Sequence, residues 1–465
     1  MSEAHAASKD TDAIQQQLAD YACTLAYEHL TREAIHAAKA LTVDTLGVLV
    51  SGFCHNACRM ARTLALADEN GATIIGGRMK TTPDMAAFVN ATTARYVEAN
   101  DVYARFKAGS PHGHPSDVIM PLLAVAEHAA AGGRDLINAI VLAYEIYLKL
   151  CNAFHNKGFD PANFGVISIA AASARLLRLT REQTAHAISM AAVTNNMLSQ
   201  VRHDRVTMWK AFAAGKAGQA GVFSAMMAQK GIEGPHLPFE GRAGWCENIA
   251  REHLELDLCV EKSGHFLIID SRIKPRPARA LTIPSILAAE KLAHRFKDTA
   301  DVQRVLVEVH RQAKHGTGRE YWDPRTRESA DHSIPFVVAV ALLHGEVTPS
   351  SFSDSMLRDE QVRAMMAKVE IEEDPEFSRA FEGTPQSYRA RVTVTAKGGE
   401  KSAAESGGDA DDLAAPKDDA AIERKFRTYA EDMLGSRRTS DALECLWRLE
   451  NVDRIAHLPR LFVLT

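Results

Sequence analysis

The sequence has little cysteine and no cysteine-rich segment. Its seven cysteines are spread over 465 residues, at Cys23, Cys54, Cys58, Cys151, Cys246, Cys259 and Cys445. An odd, scattered set of cysteines does not build a disulfide framework, which excludes a small disulfide-rich secreted protein. Cys54 and Cys58 are close together, but no second ligand pair accompanies them, so we expect free thiols and no metal site.

Net charge is also small. Lys and Arg number 54 against 59 Asp and Glu, a formal charge of -5. Such a chain has no overall field that would attract nucleic acid or anionic lipid, so we expect neither partner. Residues 1–12 lack the apolar stretch of a secretory signal, and the apolar residues 139–154 are interrupted by Glu145 and Lys149. These absences predict a cytoplasmic protein.

The content that remains is mostly helical. Hydrophobic residues make up 46% of the chain, enough to bury a sizeable core. Apolar residues recur with a helical period from Ile35 to Leu49 and from Leu136 to Tyr147, which predicts two core helices. Thr180 and Gln183 match a capping box, which predicts a helix that continues through Ala192. Gly132 and Gly133 predict the left-handed end of the preceding helix.

The pattern changes near residue 268. Residues 304–310, 368–372 and 390–396 have the β-branched or alternating pattern of half-buried strands, and residues 397–400 match a hairpin turn. Helices are predicted over residues 283–294 and 335–344, the second ended by Gly345. The fold class predicted is mainly α with an inserted α+β domain. Residues 1–267 and 407–465 would form the helical domain and residues 268–406 the α+β domain.

Two clusters of titratable residues lie in the predicted helical domain. Residues 100–117 form an irregular segment that leads into a helix near Ser116. His114 stands at this junction, where free backbone N–H groups favour an anionic substrate; the alternative is a structural cap. Residues 202–216 form the second cluster. Lys210 and Lys216 lie on different faces of its helix, and solvation is the simpler interpretation of Lys216.

Two further clusters lie in the predicted α+β domain. In residues 274–279, two prolines stiffen the backbone and hold Lys274, Arg276 and Arg279 close together, which suits the recognition of several carboxylates; an exposed linker is the alternative. Residues 329–335 contain Asp331 and His332 at another helix start. There a capping role explains much of the pattern.

These four stretches, in this order, resemble the MmgE/PrpD family, which includes 2-methylcitrate dehydratase, cis-aconitate decarboxylase and iminodisuccinate epimerase. The matching segments are residues 113–117, 209–210, 231–235, 239–241, 274–279 and 330–333. The resemblance implies a large helical domain built from both chain ends, a smaller α+β lid domain and a homodimer. It also implies an active site that includes Asp101, His114, Lys210 and Lys274.

The sequence departs from the family in two places. The loop reads Asn100-Asp101-Val102 and is longer than usual before His114. Asp160 and Arg279 stand where the decarboxylases are expected to have histidines, which disfavours decarboxylation.

The activity that these residues favour is dehydration of a hydroxy polycarboxylate without a cofactor. Such a reaction needs a base for a weakly acidic C–H, an acid for the departing hydroxide, and fixed cations for the added negative charge. We assign His114 as the acid/base residue and Asp101 as its orienting partner or a second base. The residues expected to bind substrate are Lys210, Lys274, Arg279, Arg202, His332 and Tyr103.

Three other functions stay open at this point. A dicarboxylate epimerase or racemase would use the same base and the same cations, and a cis-aconitate-type decarboxylase is less favoured. A non-catalytic helical binding protein belongs to a different class, because a fold does not fix a function. Convergence of the polar residues of the four clusters on one closed pocket would favour catalysis, and scattered clusters would favour the binding protein.

Overall fold

The computed structural model describes residues 11–103, 113–153, 158–258, 264–295, 299–314, 319–383, 386–408 and 411–464. The middle of the predicted loop, residues 104–112, and Cys259 lie outside these ranges. The described chain is mainly helical with a small α+β part, which confirms the predicted fold class.

The first part of the chain is a stack of helices with one short hairpin. The helices are α1 (Ala13–Thr24), α2 (Arg32–Gly52), α3 (Asn56–Thr63), α4 (Pro83–Arg95), α5 (Ile119–His128), α6 (Gly133–Ala153), α7 (Ala162–Leu176), α8 (Arg181–Thr194) and α9 (Trp209–Gln229). The hairpin pairs β1 (Ala72–Thr73) with β2 (Lys80–Thr81). Helix α9 packs between α4 and α7, and α6 packs on α7. Both helices predicted from periodicity are confirmed, as α2 and α6.

Local signals explain several helix boundaries. Helix α8 begins with the predicted capping box, in which Thr180 and Gln183 each accept the other's backbone N–H. The predicted role of Gly132 and Gly133 is wrong, because Ala130 takes the left-handed conformation after α5 and Gly133 opens α6. A Cβ on Gly133 would lie 1.6 Å from the carbonyl oxygen of Leu449, so close approach of the C-terminal segment requires glycine there.

The second part contains a four-stranded sheet. Its elements are α10 (Ile283–Glu290), β3 (Val302–Val309), α11 (Arg311–Lys314), α12 (Arg319–Trp322), α13 (Arg327–Ala330), α14 (Ile334–His344), α15 (Asp354–Leu357), α16 (Glu360–Met366), β4 (Val369–Glu373), α17 (Pro375–Glu382), β5 (Ala390–Ala396) and β6 (Lys401–Ser406). The strand order is β4-β3-β5-β6, parallel between β3 and β4 and antiparallel elsewhere. Val307 stands opposite Val392 and both are buried. The predicted strands and hairpin are confirmed, with Gly399 at φ +86° in the turn.

Helices α10 and α14 cover this sheet from one side. They pack on each other, and α10 also contacts β5 and β6. Helix α14 begins where the Ser333 hydroxyl accepts the N–H of Phe336 at 3.1 Å, and it ends at Gly345, at φ +84°. Both signals were visible in the sequence, so the predicted helix is confirmed.

The C-terminal segment returns to the first helices. Helix α18 (Asp419–Leu434) and α19 (Ser436–Trp447) both pack on α2, and a short 3₁₀ helix (Ile455–Phe462) follows. Phe426 comes so close to Gly47 of α2 that a Cβ there would lie 2.9 Å from its ring. The largest apolar cluster therefore combines the first helices with residues from Ile422 to Phe462. A second cluster is built from Val102 and residues 278–413.

Two helices are long and apolar enough to cross a membrane by length and composition alone. They are α2 and α6, whose apolar windows are 72% and 83% buried inside the protein. The core helix of a soluble protein meets the same criterion, so the two helices are weak evidence for a membrane span.

Candidate active site

Charged side chains from both parts of the chain meet at Glu98. Its carboxylate accepts hydrogen bonds from the two terminal guanidinium nitrogens of Arg95 at 3.1 and 3.3 Å. Lys274 Nζ lies 2.7 Å and Lys210 Nζ 3.3 Å from the same carboxylate. All four side chains are at most 5% exposed. Burial raises the pKa of the Glu98 carboxyl, but Arg95, Lys274 and Lys210 outweigh it and hold that pKa well below its usual value. Glu98 is therefore an anion enclosed by three cations.

Lys210 extends this cluster to Asp331 and His332. Lys210 Nζ lies 2.9 and 2.7 Å from the two carboxylate oxygens of Asp331, and His332 Nδ1 lies 2.5 Å from Asp331 Oδ1. Burial opposes the charge on Asp331, while Lys210 and His332 favour it and leave its pKa below the usual value. We call the residues Arg95, Glu98, Lys210, Lys274, Asp331 and His332 the Glu98 network.

Helix ends explain how these residues meet. Arg95 is the last residue of α4, and Lys210 lies in the first turn of α9. Glu98 has φ +57°, a left-handed conformation that is uncommon outside glycine. Lys216 is exposed and bonds Gln219, so the expectation that it and Lys210 lie on different faces of the helix is confirmed.

His114 stands at the start of the 3₁₀ turn Pro115–Val118, which leads into α5. Its ring Nδ1 lies 2.9 Å from the main-chain oxygen of Asp101. The main-chain N–H of His114 donates to the Tyr147 hydroxyl at 3.3 Å. A carbonyl oxygen only accepts, so Nδ1 carries the hydrogen. Burial and the nearby Arg95 and Lys274 hold the pKa of the imidazole well below 6.5. The neutral ring then has its lone pair on Nε2.

The Asp101 side chain points elsewhere. Its carboxylate is fully buried and accepts the Ser116 N–H and the Tyr144 hydroxyl, each at 3.0 Å. Burial raises its pKa to about 6, although these hydrogen bonds oppose the shift. The prediction that Asp101 orients His114 therefore needs a correction, because the contact is made by the main-chain carbonyl. The carboxylate instead fixes the turn that carries His114.

A second buried carboxyl, Asp117, lies beside Arg95 with Oδ1 3.6 Å from Arg95 Nε. Burial raises the pKa of Asp117 to about 7, although Arg95 and Arg202 oppose the shift. A carboxyl group that titrates near neutral pH can either hold or release a proton. Asp117 lies within the motif at residues 113–117, but the sequence pattern predicted no role for it.

The remaining predicted residues have other partners. Arg202 is ion-paired with Asp160 at 2.6 Å and its side chain is 27% exposed. Tyr103 is buried, with its hydroxyl 3.1 Å from Asn152 Oδ1. The main-chain N–H of Arg279 donates to the main-chain carbonyl oxygen of Asp331 at 2.9 Å. Arg202 lies close enough to His114 to lower its pKa further.

The four sequence clusters therefore converge. Lys210 and Lys274 were predicted to clamp substrate carboxylates directly, but their ammonium groups face Asp331 and Glu98 instead. This correction has a physical reason, because buried carboxylates need nearby cations. Arg95, Glu98 and Tyr144 were missed, because Arg95 ends α4, Glu98 follows it by three residues, and no motif marks them.

Two cavities lie away from this network. One of about 420 Å³ opens between α2 and residues 268–273, and one of about 720 Å³ is lined by residues near Arg134 and Asn451. Neither is lined by a residue of the Glu98 network. Across the residues that the structure describes, no group of three or more His, Cys, Asp or Glu side chains is arranged to hold a metal ion.

Comparison with known families covers nearly the whole chain. The MmgE/PrpD N-terminal domain matches residues 16–256 and the MmgE/PrpD C-terminal domain matches residues 277–450. The chain belongs to the MmgE/PrpD family. The resemblance found in the sequence is thereby confirmed.

Relatives within the family carry two activities in their names. The chain is 27% identical to the mitochondrial 2-methylcitrate dehydratase of Yarrowia lipolytica over 84% of this chain and 78% of the relative. It is 26% identical to the 2-methylcitrate dehydratase of Escherichia coli over 76% of this chain and 77% of the relative. It is 23% identical to the human cis-aconitate decarboxylase over 93% of this chain and 91% of the relative. These similarities support an enzyme of this family.

Proposed function

We propose that this MmgE/PrpD protein is a cofactor-independent hydro-lyase that eliminates water from a hydroxy polycarboxylate. The observation that carries the proposal is the state of His114. Its Nδ1 hydrogen is directed at the Asp101 carbonyl oxygen and its pKa lies well below 6.5, so Nε2 is an unprotonated base at neutral pH. The relatives named as dehydratases support the same reaction class.

In the proposed reaction, Nε2 of His114 takes a proton from the carbon next to a carboxylate. The electron pair of that C–H bond first remains on the carbon as a carbanion-like intermediate, and it then forms the double bond as the C–O bond to the hydroxyl group breaks. A proton delivered to the leaving oxygen lets it depart as water. Asp117, with a pKa of about 7, is the neighbouring carboxyl that can supply this proton.

The surrounding cations would stabilise the intermediate. Arg95, Arg202 and Lys274 act electrostatically on His114, and each favours the added negative charge of a carbanion-like intermediate. Lys210 and Lys274 hold Glu98 and Asp331 in place. In this proposal Arg279 and His332, with Arg202, remain the side chains assigned to substrate carboxylates, and the functional unit is a homodimer in the cytoplasm.

Proton NMR in deuterated buffer tests the reaction class. The enzyme is mixed separately with 2-methylcitrate, citrate, cis-aconitate and iminodisuccinate, with a chelator present. We expect loss of a hydroxy acid with a new vinyl proton from citrate, or a methyl group on a double bond from 2-methylcitrate. Deuterium uptake without elimination would replace the proposal with an epimerase. Conversion of cis-aconitate with loss of a carboxyl group would replace it with a decarboxylase.

A matched pair of variants tests the base. His114→Gln should lower kcat about 10²- to 10⁴-fold, the range for loss of a general base. His128→Gln is the control, because His128 also places Nδ1 near a carbonyl oxygen, that of Asn70 at 3.2 Å, but is exposed and outside the site. It should keep the wild-type rate. If His114→Gln retains more than about a tenth of kcat, His114 is not the base.

A further inference from the structure

Helix α18, which we call the C-terminal helix although α19 follows it, contacts the candidate site through Lys425. Lys425 Nζ donates to the carbonyl oxygen of Ala99 at 2.7 Å and lies 2.5 Å from Asp44 Oδ1 on α2. The Lys425 side chain is 8% exposed and that of Asp44 is 1% exposed. Ala99 directly follows Glu98, so this buried ion pair is bound to the backbone of the site.

The pair has a cost that the apolar packing of α2 on α18 does not explain. Two charges removed from water stabilise a fold poorly, and apolar residues of similar volume often do so better. Burial raises the pKa of the Asp44 carboxyl although Lys425 opposes the shift, and among the described residues neither carboxyl oxygen has a hydrogen bond of good geometry. The pair is better explained by what Lys425 holds.

Lys425 contacts a backbone segment that contains a strained residue, Glu98. Residues 98–101, which we call the site loop, begin with Glu98 at φ +57°. A non-glycine residue in this region stays there only when its surroundings fix it. The segment carries the Glu98 carboxylate at one end and, at the other, the Asp101 carbonyl oxygen that fixes the His114 tautomer. Lys425 bonds the carbonyl between these two ends.

We infer that Lys425 and Asp44 are positioning residues that hold the site loop in its active conformation. Lys425 fixes the Ala99 carbonyl, and Asp44 holds the Lys425 Nζ beside that carbonyl and opposes the lowering of the Lys425 pKa by burial. The C-terminal helix is thereby part of the active site although it contributes no side chain to the substrate. The inference rests on the proposed function for its kinetic consequence only, since the loop geometry is independent of the reaction.

The kinetic test compares Lys425→Met with Lys39→Met. Lys39 is the matched control, because it also ties α2 to the C-terminal segment, with Nζ 2.9 Å from the Trp447 oxygen and 3.0 Å from Glu450, away from the site loop. Lys425→Met should lower kcat about 10- to 100-fold, as misplaced catalytic groups do, with KM changed less than about threefold. Lys39→Met should leave both constants near wild type.

The double variant Asp44→Asn/Lys425→Met covers the case in which Lys425→Met does not fold. It leaves no unpaired buried charge, and it should show the same loss of kcat because the Ala99 carbonyl still has no donor. A folded Lys425→Met or double variant with kcat within about twofold of wild type would overturn the inference. An equal loss in Lys39→Met would also overturn it, because the effect would then be general destabilisation.

A second readout separates this inference from the proposed reaction. The protein is labelled with ¹⁵N-histidine, and the ring signals of His114 are assigned among the 19 histidines with His114→Gln. Lys425→Met should shift the His114 ring signals and Lys39→Met should not, whether or not any substrate is turned over. Unchanged His114 signals in folded Lys425→Met would refute the positioning role while leaving the proposed function intact.

Discussion

Removing the Lys210 ammonium group should strongly destabilise the protein. Lys210 is 1% exposed and holds Asp331, which is fully buried, at 2.7 Å. Lys210→Met keeps the length of the side chain and removes its charge. Glu98 keeps Arg95 and Lys274, whereas the neighbour that Asp331 keeps is His332, whose pKa lies below 6.5 because the ring is buried. Most of the cost therefore falls on Asp331.

The expected magnitude follows from this geometry. Removal of one partner from a buried ion pair costs about 3–5 kcal/mol, because a charge is left buried and unpaired. Asp331→Asn should cost less, since an amide carries no charge and Lys210 keeps Glu98 at 3.3 Å. In Lys210→Met/Asp331→Asn the buried charge is gone, so the double variant should be more stable than the sum of the single changes by about 1–3 kcal/mol.

Urea unfolding of the four proteins measures these free energies. Arg304→Met is the control, because Arg304 pairs with Glu370 at 2.6 Å with both side chains about half exposed, and its unfolding midpoint should not move measurably. The reasoning is refuted if Lys210→Met costs less than about 1 kcal/mol, or if the two single changes simply add. Either result would mean that Asp331 is not held as an anion by Lys210.

Three further predictions concern backbone packing and the pH dependence of activity. Gly133→Ala should lower the free energy of unfolding by at least about 2 kcal/mol, because the new Cβ would overlap the Leu449 carbonyl oxygen. Gly398→Ala is the control and should cost less than about 1 kcal/mol, because no atom lies within 4 Å of its Cβ. Equal losses in the two variants would contradict the packing argument. The acid limb of the pH profile of kcat/KM should lie below pH 6.5, because the pKa of His114 lies below that value and the ring must be unprotonated to act as a base. An acid limb centred above pH 6.5 would exclude His114. A fall in kcat/KM is also expected above about pH 7, because Asp117, with a pKa of about 7, must keep its proton to act as the acid; the residual activity of Asp117→Asn should lack this fall.

Much of the local structure was encoded in short sequence patterns. The capping box at Thr180, the stop at Gly345 and the alternation around Val392 each depend on neighbours a few residues away, and each is present in the structure. Local patterns of this kind specify where a helix or strand begins and which face is buried. The prediction for Gly132 and Gly133 failed because the need for glycine at 133 comes from Leu449, which is distant in sequence.

The candidate site shows the same division. The four polar clusters and the family could be recognised from residue types and their order, and the comparisons confirm the family. The partners of those residues could not be recognised. Lys210 meets Asp331 across 121 positions of sequence, and Lys274 meets Glu98 across 176. No local pattern encodes such distances.

The sequence by itself thus determined several helix and strand limits, the fold class and part of the set of residues from which a site could be built. Only the tertiary structure decided which cation faces which carboxylate, and that the Asp101 carbonyl rather than its carboxylate contacts His114. The physical reason is that a charge in a folded protein is set by burial and by neighbours within a few ångströms. Those neighbours come from α2, α4, α9, the segment before α14 and the C-terminal helix, and folding alone brings them together.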